Sequence, residues 1–281
     1  MQEKLKYYKK HPGSFVLALL VWGAALVTVA TLLFLVGYVL VSGVPNLKPS
    51  LFAWEYNSDN VSMVPAIINT IEMVMVALLF AVPFGVGAAI YLVEYAKKGN
   101  KIVGLVRLTA ETLTGIPSII YGLFGMLFFV TALGWRNSIL AGAMTLAIMV
   151  LPTVMRTTEE ALLSVPDSYR EGSFGLGAGK LRTVFQIVLP AAVPGILSGV
   201  ILSVGRIVGE TAALIYTAGT VAGLAGIMDS GRTLAIHMYV LSNEGFHKNE
   251  ANATAVILLL IVLGINAVSA RIAKKLEAPK A

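Results

Sequence analysis

Two charged residues, Arg206 and Glu210, lie deep within a long apolar run of this 281-residue chain. An ionisable side chain at the centre of a bilayer costs from about 2.5 to about 10 kcal/mol or more, so such residues predict a function. On a helix, their four-residue spacing places both side chains on one face, within reach of each other. The spacing alone leaves two interpretations open. The two residues either serve a function within the membrane, or they form an ion pair that neutralises itself as the helices pack.

Other kinds of chemistry find little support in the sequence. The chain has no cysteine, which excludes disulfides, thiolate zinc sites and iron–sulfur clusters. The histidines His11, His237 and His247 lack metal-ligand spacing, and no predicted span contains the base that an intramembrane hydrolase needs. A Gly-x-Gly-x-Gly run ends at Gly179, but no strand precedes it, and Lys180 is not followed by Ser or Thr. We therefore expect no catalytic residue, metal or cofactor.

The composition indicates an integral membrane protein, because 57% of the residues are hydrophobic and only 13% are charged. Soluble domains carry about 25% charged residues. About 20 residues cross a bilayer as a helix, and the apolar runs are 15–41, 73–93, 112–135, 137–155, 187–228 and 251–270.

The run 187–228 is too long for one span. It fits either one span with a re-entrant or external portion, or two helices that turn at Arg206–Glu210. Six spans in total place most of the 21 Lys and Arg residues, and both termini, in the cytoplasm, whereas seven would put the basic C-terminus outside. We therefore predict six spans in contact with membrane lipid. This charge distribution argues against a nucleic-acid partner.

The segment 164–188 is a polar, glycine-punctuated loop between two apolar runs. Ser164 and Asp167 have the spacing of a capping box, which predicts the start of a helix. The glycines at 175, 177 and 179 favour a sharp turn, and a second short helix is expected over 181–188. The loop is thus predicted to form a helix-turn-helix bracket at the membrane surface.

The bracket also carries the spacing Glu-x5-Gly-x9-Ile-x-Leu-Pro, which resembles the EAA loop of ABC-importer permeases. Gly172 and Ser173 replace the two alanines of the family pattern, and both are small enough for close approach to a partner. The resemblance implies that this loop is the coupling helix that docks on a separate ATPase subunit. The residues expected to couple to the ATPase are Glu171, Gly172, Ser173, Gly177, Ile187, Leu189 and Pro190.

The stretch from Gly205 to Leu214 resembles the Arg-x-x-Gly-Glu-Thr segment of phosphate-specific ABC permeases, and the length suits the A-type subunit. Further similar stretches surround residues 91–95, 115–124 and 151–161. The guanidinium matches phosphate oxygens bidentately, and Glu210 beside Arg206 would prevent phosphate from binding too tightly. The resemblance implies a substrate pathway formed by Arg206, Glu210, Thr211 and Ser118. A permease for sulfate or molybdate, the partner C-type subunit and a passive channel remain alternatives.

The sequence therefore predicts an all-α membrane protein with six transmembrane helices and the fold of a type I ABC-importer permease. The expected location is the plasma (inner) membrane of a prokaryote. The partners that the resemblance implies are phosphate, a homologous permease subunit forming a heterodimer, an ATPase subunit dimer and an extracytoplasmic phosphate-binding protein. The predicted divisions are a tail at 1–13, a first span and external loop at 14–62, a permease core at 63–271 and a tail at 272–281.

Overall fold

The computed structural model describes residues 12–97 and 99–276, and every regular element in these ranges is a helix. Most of the predicted terminal tails lies outside the described residues. The helices are α1 (Pro12–Gly43), α2 (Val64–Ile90), α3 (Lys101–Thr114), α4 (Ser118–Gly125), α5 (Ile139–Leu163), α6 (Asp167–Gly175), α7 (Lys180–Thr183), α8 (Leu189–Val208), α9 (Ala212–Thr217), α10 (Leu234–Glu244) and α11 (Lys248–Leu276).

Within the described residues, five helical stretches are long and apolar enough to cross a membrane, and a sixth results if α3 and α4 count as one bent span. The predicted all-helical fold is confirmed, and the six predicted spans match the upper count. The bundle has two ends. We call the one that carries residues 164–188 the coupling-loop end and the other the opposite end.

The third span, predicted over 112–135, begins earlier than expected and is sharply bent at Gly115–Pro117. Asn100 caps the start of α3 by accepting a hydrogen bond from the N–H of Ile102 (2.9 Å). Helix α3 ends at Thr114, so residues 112–114 belong to it. The axes of α3 and α4 meet at 102° across Gly115–Pro117. Proline has no N–H and disfavours a helical conformation in the residue before it, which explains the break.

The core lies between α2 and α5, which pack along most of their lengths. Small side chains on α2, including Ala77 and Ala81, face larger ones on α5, including Leu146 and Met149, and all four are fully buried. Such pairing of small and large residues lets membrane helices approach closely. The short α9 inserts beside this core through Leu214.

Three segments are π-helical, with hydrogen bonds from residue i+5 to residue i. They are Tyr91–Tyr95 after α2, Met126–Ala132 after α4, and Val184–Val188 between α7 and α8. The last one joins α7 and α8 into a continuous stretch, Lys180–Val208. The π-helix is rare and usually appears as a single widened turn within an α-helix.

After Val208 the chain leaves the helical path of α8 and folds back into the bundle. We call residues 212–233 the re-entrant segment; it consists of α9 and a loop that contains no regular element. Of the two interpretations left open by the sequence, one span followed by a re-entrant portion agrees with this geometry. The helix break falls in the Arg206–Glu210 region, where the second interpretation placed a turn between two full helices.

A buried aromatic cluster lies at the opposite end, outside the candidate spans. The guanidinium carbon of Arg232 lies 4.6 Å from the ring centroid of Tyr56, and the ring of His237 lies 6.2 Å from the same centroid in an edge-on arrangement. Arg232 is 4% exposed and His237 is fully buried. Burial, reinforced by the positive charge of Arg232, lowers the pKa of His237 from 6.5 to about 3.

This pKa predicts that acid destabilises the fold. Between pH 6.5 and 3 the unfolded chain binds a proton at His237 and the folded chain does not, so stability falls as the pH falls through this window. Lowering the pH from 7 to 5 should cost about 2 kcal/mol through this residue. His237→Gln should remove that part of the pH dependence, measured by thermal unfolding at both pH values. His247→Gln is a matched control, because its side chain is 33% exposed. An unchanged pH dependence in His237→Gln would contradict the assignment.

Candidate functional site

Arg206 lies in the last turn of α8, half-buried and two residues before the helix ends at Val208. Among the described residues its guanidinium makes no side-chain hydrogen bond and no ion pair with a carboxylate, although its charge acts on the phenol of Tyr121. A cation in an apolar span without a carboxylate partner is costly unless an anion or water compensates it. Its position therefore suits an anion that passes through.

The predicted pairing of Glu210 with Arg206 is wrong in this structure. Because α8 ends at Val208, Glu210 falls outside the helix and the four-residue spacing no longer places the two side chains on one face. The carboxylate of Glu210 instead accepts a hydrogen bond from the N–H of Ala213 (3.1 Å), near the start of α9. It thus satisfies one of the free N–H groups of that helix, in the manner of a cap.

Thr211 and Ser118 lie at the two helix breaks. Thr211 is the residue before α9, and Ser118 is the first residue of α4. Thr211 and Ile119 line the same cavity of about 530 Å³, so the two breaks come together in space. The cavity has no charged side chain among its lining residues. These are Ile119, Thr211, Ala212, Ile215, Tyr216, Met238, Tyr239, Ser242, Ala251, Asn252 and Ala255.

Tyr121 is a candidate that the sequence analysis missed. It is 5% exposed, and its hydroxyl donates to the carbonyl of Leu113 (2.8 Å) across the bend between α3 and α4. Tyr121 thus links the two halves of the broken span. A tyrosine in an apolar run is usually a core residue, so no sequence signal distinguished it.

The coupling loop forms the predicted bracket. Helix α6 runs into a turn at Gly177, whose φ of +81° is strained for any residue with a side chain. The two arms are tied together by a hydrogen bond of 2.8 Å between the hydroxyls of Ser173 and Thr183. Thr183 is buried, whereas Glu171 on the first arm is exposed.

The expected capping role of Ser164 is wrong. Its hydroxyl donates to the carbonyl of Ala161 (2.7 Å), at the end of α5, and α6 begins at Asp167 after Pro166. Pro166 has an extended ψ of 140°, which separates the two helices. Ser164 therefore closes the preceding helix rather than opening the next.

An ion pair that was not predicted from the sequence attaches this bracket to the rest of the helix bundle. Arg170 donates to Oε1 of Glu94 from both Nε (3.1 Å) and Nη2 (2.8 Å). The two side chains are 15% and 8% exposed. Arg170 also donates to the carbonyls of Val165 (2.8 Å) and Leu162 (3.0 Å). One side chain thereby connects the ends of α2 and α5 to the coupling helix. The sequence contained a signal for this pair, because Glu94 and Arg170 have opposite charges and both lie beside predicted spans at the same membrane face.

A groove of about 450 Å³ lies between the two arms of the bracket. Gly172, Ser173, Gly177 and Ile187 line it, so the structure brings four of the predicted coupling residues together. Glu171 is exposed nearby on α6. Leu189 is half-buried and Pro190 exposed at the start of α8, away from the groove.

The amino-acid sequence of this chain is similar to those of known membrane proteins. Residues 81–278 match the family described as "binding-protein-dependent transport system inner membrane component". The chain is 31% identical over 266 residues to the Bacillus subtilis protein named "Probable ABC transporter permease protein YqgI", covering 86% of this chain and 88% of that protein. It is 34% identical over 236 residues to the Haemophilus influenzae "Phosphate transport system permease protein PstA", covering 81% and 82%.

Solved structures share the architecture. An inward-facing structure of the MetNI methionine ABC transporter contains a chain that superposes with a TM-score of 0.64 at 22% identity, covering 77% of this chain and 96% of that one. At this identity the likeness shows the fold alone. The family match spans most of the chain and both helix breaks. This protein therefore belongs to the binding-protein-dependent inner membrane component family, the multi-pass permeases of ABC importers.

Proposed function

We propose that this permease imports inorganic phosphate through a pathway that passes Arg206 and the cavity beside Thr211. The observation that carries the proposal is the position of Arg206, a cation without a carboxylate partner among the described residues, next to the break at Gly209–Thr211. A phosphate that crosses the apolar bundle needs a compensating positive charge, and a guanidinium provides it bidentately.

The cavity supports an anionic substrate. Its polar side chains are hydroxyls and one amide, from Thr211, Tyr216, Tyr239, Ser242 and Asn252. Neutral hydroxyl and amide donors bind phosphate oxygens without holding the anion as tightly as a second cation would, and no lining carboxylate repels it. This combination suits a substrate that must bind briefly and leave.

The name of the Haemophilus influenzae relative, a phosphate transport system permease, supports phosphate over other oxyanions for this chain. The Bacillus subtilis relative carries a name without a substrate. Sulfate and molybdate are therefore the competing substrates. The C-type partner subunit of a phosphate importer is the competing assignment for the chain itself.

Permeases of this family work with an ATPase and a binding protein. In our proposal this chain pairs with a homologous permease as a heterodimer, and its bracket docks on one subunit of an ATPase dimer. Hydrolysis of ATP takes place on that dimer, and an extracytoplasmic phosphate-binding protein delivers the substrate. Both termini and the coupling-loop end face the cytoplasm, in agreement with the distribution of Lys and Arg.

The deciding experiment is ATP-dependent uptake of labelled phosphate by proteoliposomes that hold this chain with its candidate partners. We expect uptake that excess unlabelled phosphate abolishes and that equal concentrations of sulfate and molybdate leave unchanged. Competition by sulfate or molybdate would overturn phosphate as the assigned substrate but would leave the assignment as an ATP-driven importer in place. Uptake without ATP would instead indicate a channel.

A further inference from the structure

Asn69, in the second turn of α2, holds the re-entrant segment from one side. Its amide is fully buried and donates from Nδ2 to the carbonyls of Gly223 (2.9 Å) and Arg232 (3.2 Å). Its Oδ1 accepts from the N–H of Ala225 (3.2 Å). One side chain therefore satisfies three backbone groups of a loop that has no regular structure of its own. A buried amide with three such bonds is costly to displace.

The start of α5 holds the same segment from the other side. The N–H groups of Ser138, Ile139 and Leu140 donate to backbone carbonyls of the re-entrant segment, at distances of 3.0, 3.0 and 2.8 Å. The accepting residues are Thr217, Asp229 and Ile227 respectively. First-turn N–H groups have no partner within their own helix, so the loop supplies partners that α5 lacks.

The segment thus connects the opposite end of the bundle to the proposed pathway. Its helix α9 contributes Ala212, Ile215 and Tyr216 to the cavity, whereas its loop is fixed to α2 and α5. A shift of the loop would therefore move the cavity wall. A transporter that alternates access must open its pathway at this end of the bundle. When the pathway opens, the re-entrant segment either moves together with α2 or moves relative to it.

We propose that Asn69 is a positioning residue that fixes the re-entrant segment to α2, so that the mouth opens only when α2 and the segment move as one body. Without the three amide bonds, the segment opens independently of α2 and of the ATP cycle. The proposal rests on the proposed pathway along α9, but it does not depend on which anion the pathway carries.

The test uses the absence of native cysteine in this chain. Thr217→Cys introduces a thiol at a fully buried position at the end of α9. In the importer assembled in nanodiscs, a polar maleimide should label this thiol slowly. In the Asn69→Ala background, labelling should accelerate by about tenfold or more, because three hydrogen bonds that oppose local opening are lost. No substrate is added, so the result is independent of the phosphate assignment.

Gly231→Ala tests the same contact from the loop side. A Cβ at this position would lie 3.0 Å from Nδ2 of Asn69 and would also meet the side chain of Ala225, so it pushes the loop off the amide. This variant should accelerate labelling in the same way, and it decides the question if Asn69→Ala fails to assemble. Slow labelling of Thr217→Cys in either assembled variant would overturn the proposal.

Two controls separate local opening from general loosening. Thr158→Cys reports on a fully buried position near the coupling-loop end of α5 and should stay protected in both variants. Asn46→Ala removes a half-buried amide at the opposite end that donates to the carbonyl of Ser42 (2.7 Å), outside the re-entrant segment, and it should leave labelling unchanged. Equal acceleration at Thr158→Cys, or acceleration by Asn46→Ala, would also overturn the proposal.

Discussion

Arg206→Ala is expected to lower ATP-dependent phosphate uptake about a hundredfold in proteoliposomes, with assembly intact. A hydrogen bond to a charged group contributes about 1.5–3 kcal/mol, and the guanidinium can form two with one phosphate. Arg206→Lys keeps the charge and loses the planar fork, so we expect a smaller loss, about tenfold. Uptake rates are measured alongside ATP hydrolysis and the yield of assembled complex, so that a folding defect is recognised.

Two further variants make this result specific. Lys48→Ala removes a positive charge that is 60% exposed at the opposite end, and uptake should stay near normal. Glu210→Gln keeps an oxygen that can accept from the N–H of Ala213, so it should also have little effect. A large loss in Glu210→Gln would restore the idea that its charge moderates phosphate binding. Normal uptake by assembled Arg206→Ala would remove Arg206 from the pathway.

Breaking the contact between Arg170 and Glu94 is expected to uncouple ATP hydrolysis from transport. Arg170→Ala leaves a largely buried carboxylate without its partner and frees two carbonyls at the end of α5. Loss of one partner of a buried pair destabilises by about 3–5 kcal/mol. The coupling helix would then move without pulling on α2 and α5. We expect phosphate transported per ATP hydrolysed to fall by about tenfold or more.

The matched control is Arg156→Ala, on α5 and outside the groove. Its guanidinium is 42% exposed and lies 3.9 Å from a carboxylate oxygen of Glu111, which is 67% exposed, so losing this surface contact should change little. Glu94→Gln retains an acceptor for Arg170, so its effect should be intermediate. If Arg170→Ala transports as much phosphate per ATP as the wild type, the pair is only a local stabiliser.

Much of the architecture is encoded locally and was predictable. The apolar runs are long enough to define the spans, and Gly115 with Pro117 predicts a break in the third one. The coupling loop was recognisable because its glycine and proline positions are fixed by the turn geometry, as the positive φ of Gly177 confirms. Local propensity and hydropathy suffice for features of this kind.

The site was less predictable, because it depends on where helices end and on contacts between distant segments. The pairing of Arg206 with Glu210 assumed a continuous helix, and one break near Gly209 turned the carboxylate into a cap for the next helix. The bonds of Asn69 to the loop span more than 150 residues of sequence. A single sequence contains no information about which distant backbone groups need a partner, so Asn69 and Tyr121 were missed.

The π turn at Val184–Val188 determines how the chain tolerates the loss of one residue at this point. A π turn accommodates one residue more than an α turn, and one residue corresponds to about 100° of rotation around an α-helix. Deleting one residue here would leave Lys180–Val208 continuous as an α-helix and would keep the bracket at nearly the same angle around the axis of α8, because the wide turn already absorbs the extra residue. In evolutionary terms, the chain can lose a single codon at this point without re-aiming the bracket, whereas the same deletion in a regular α turn would rotate it by about 100°.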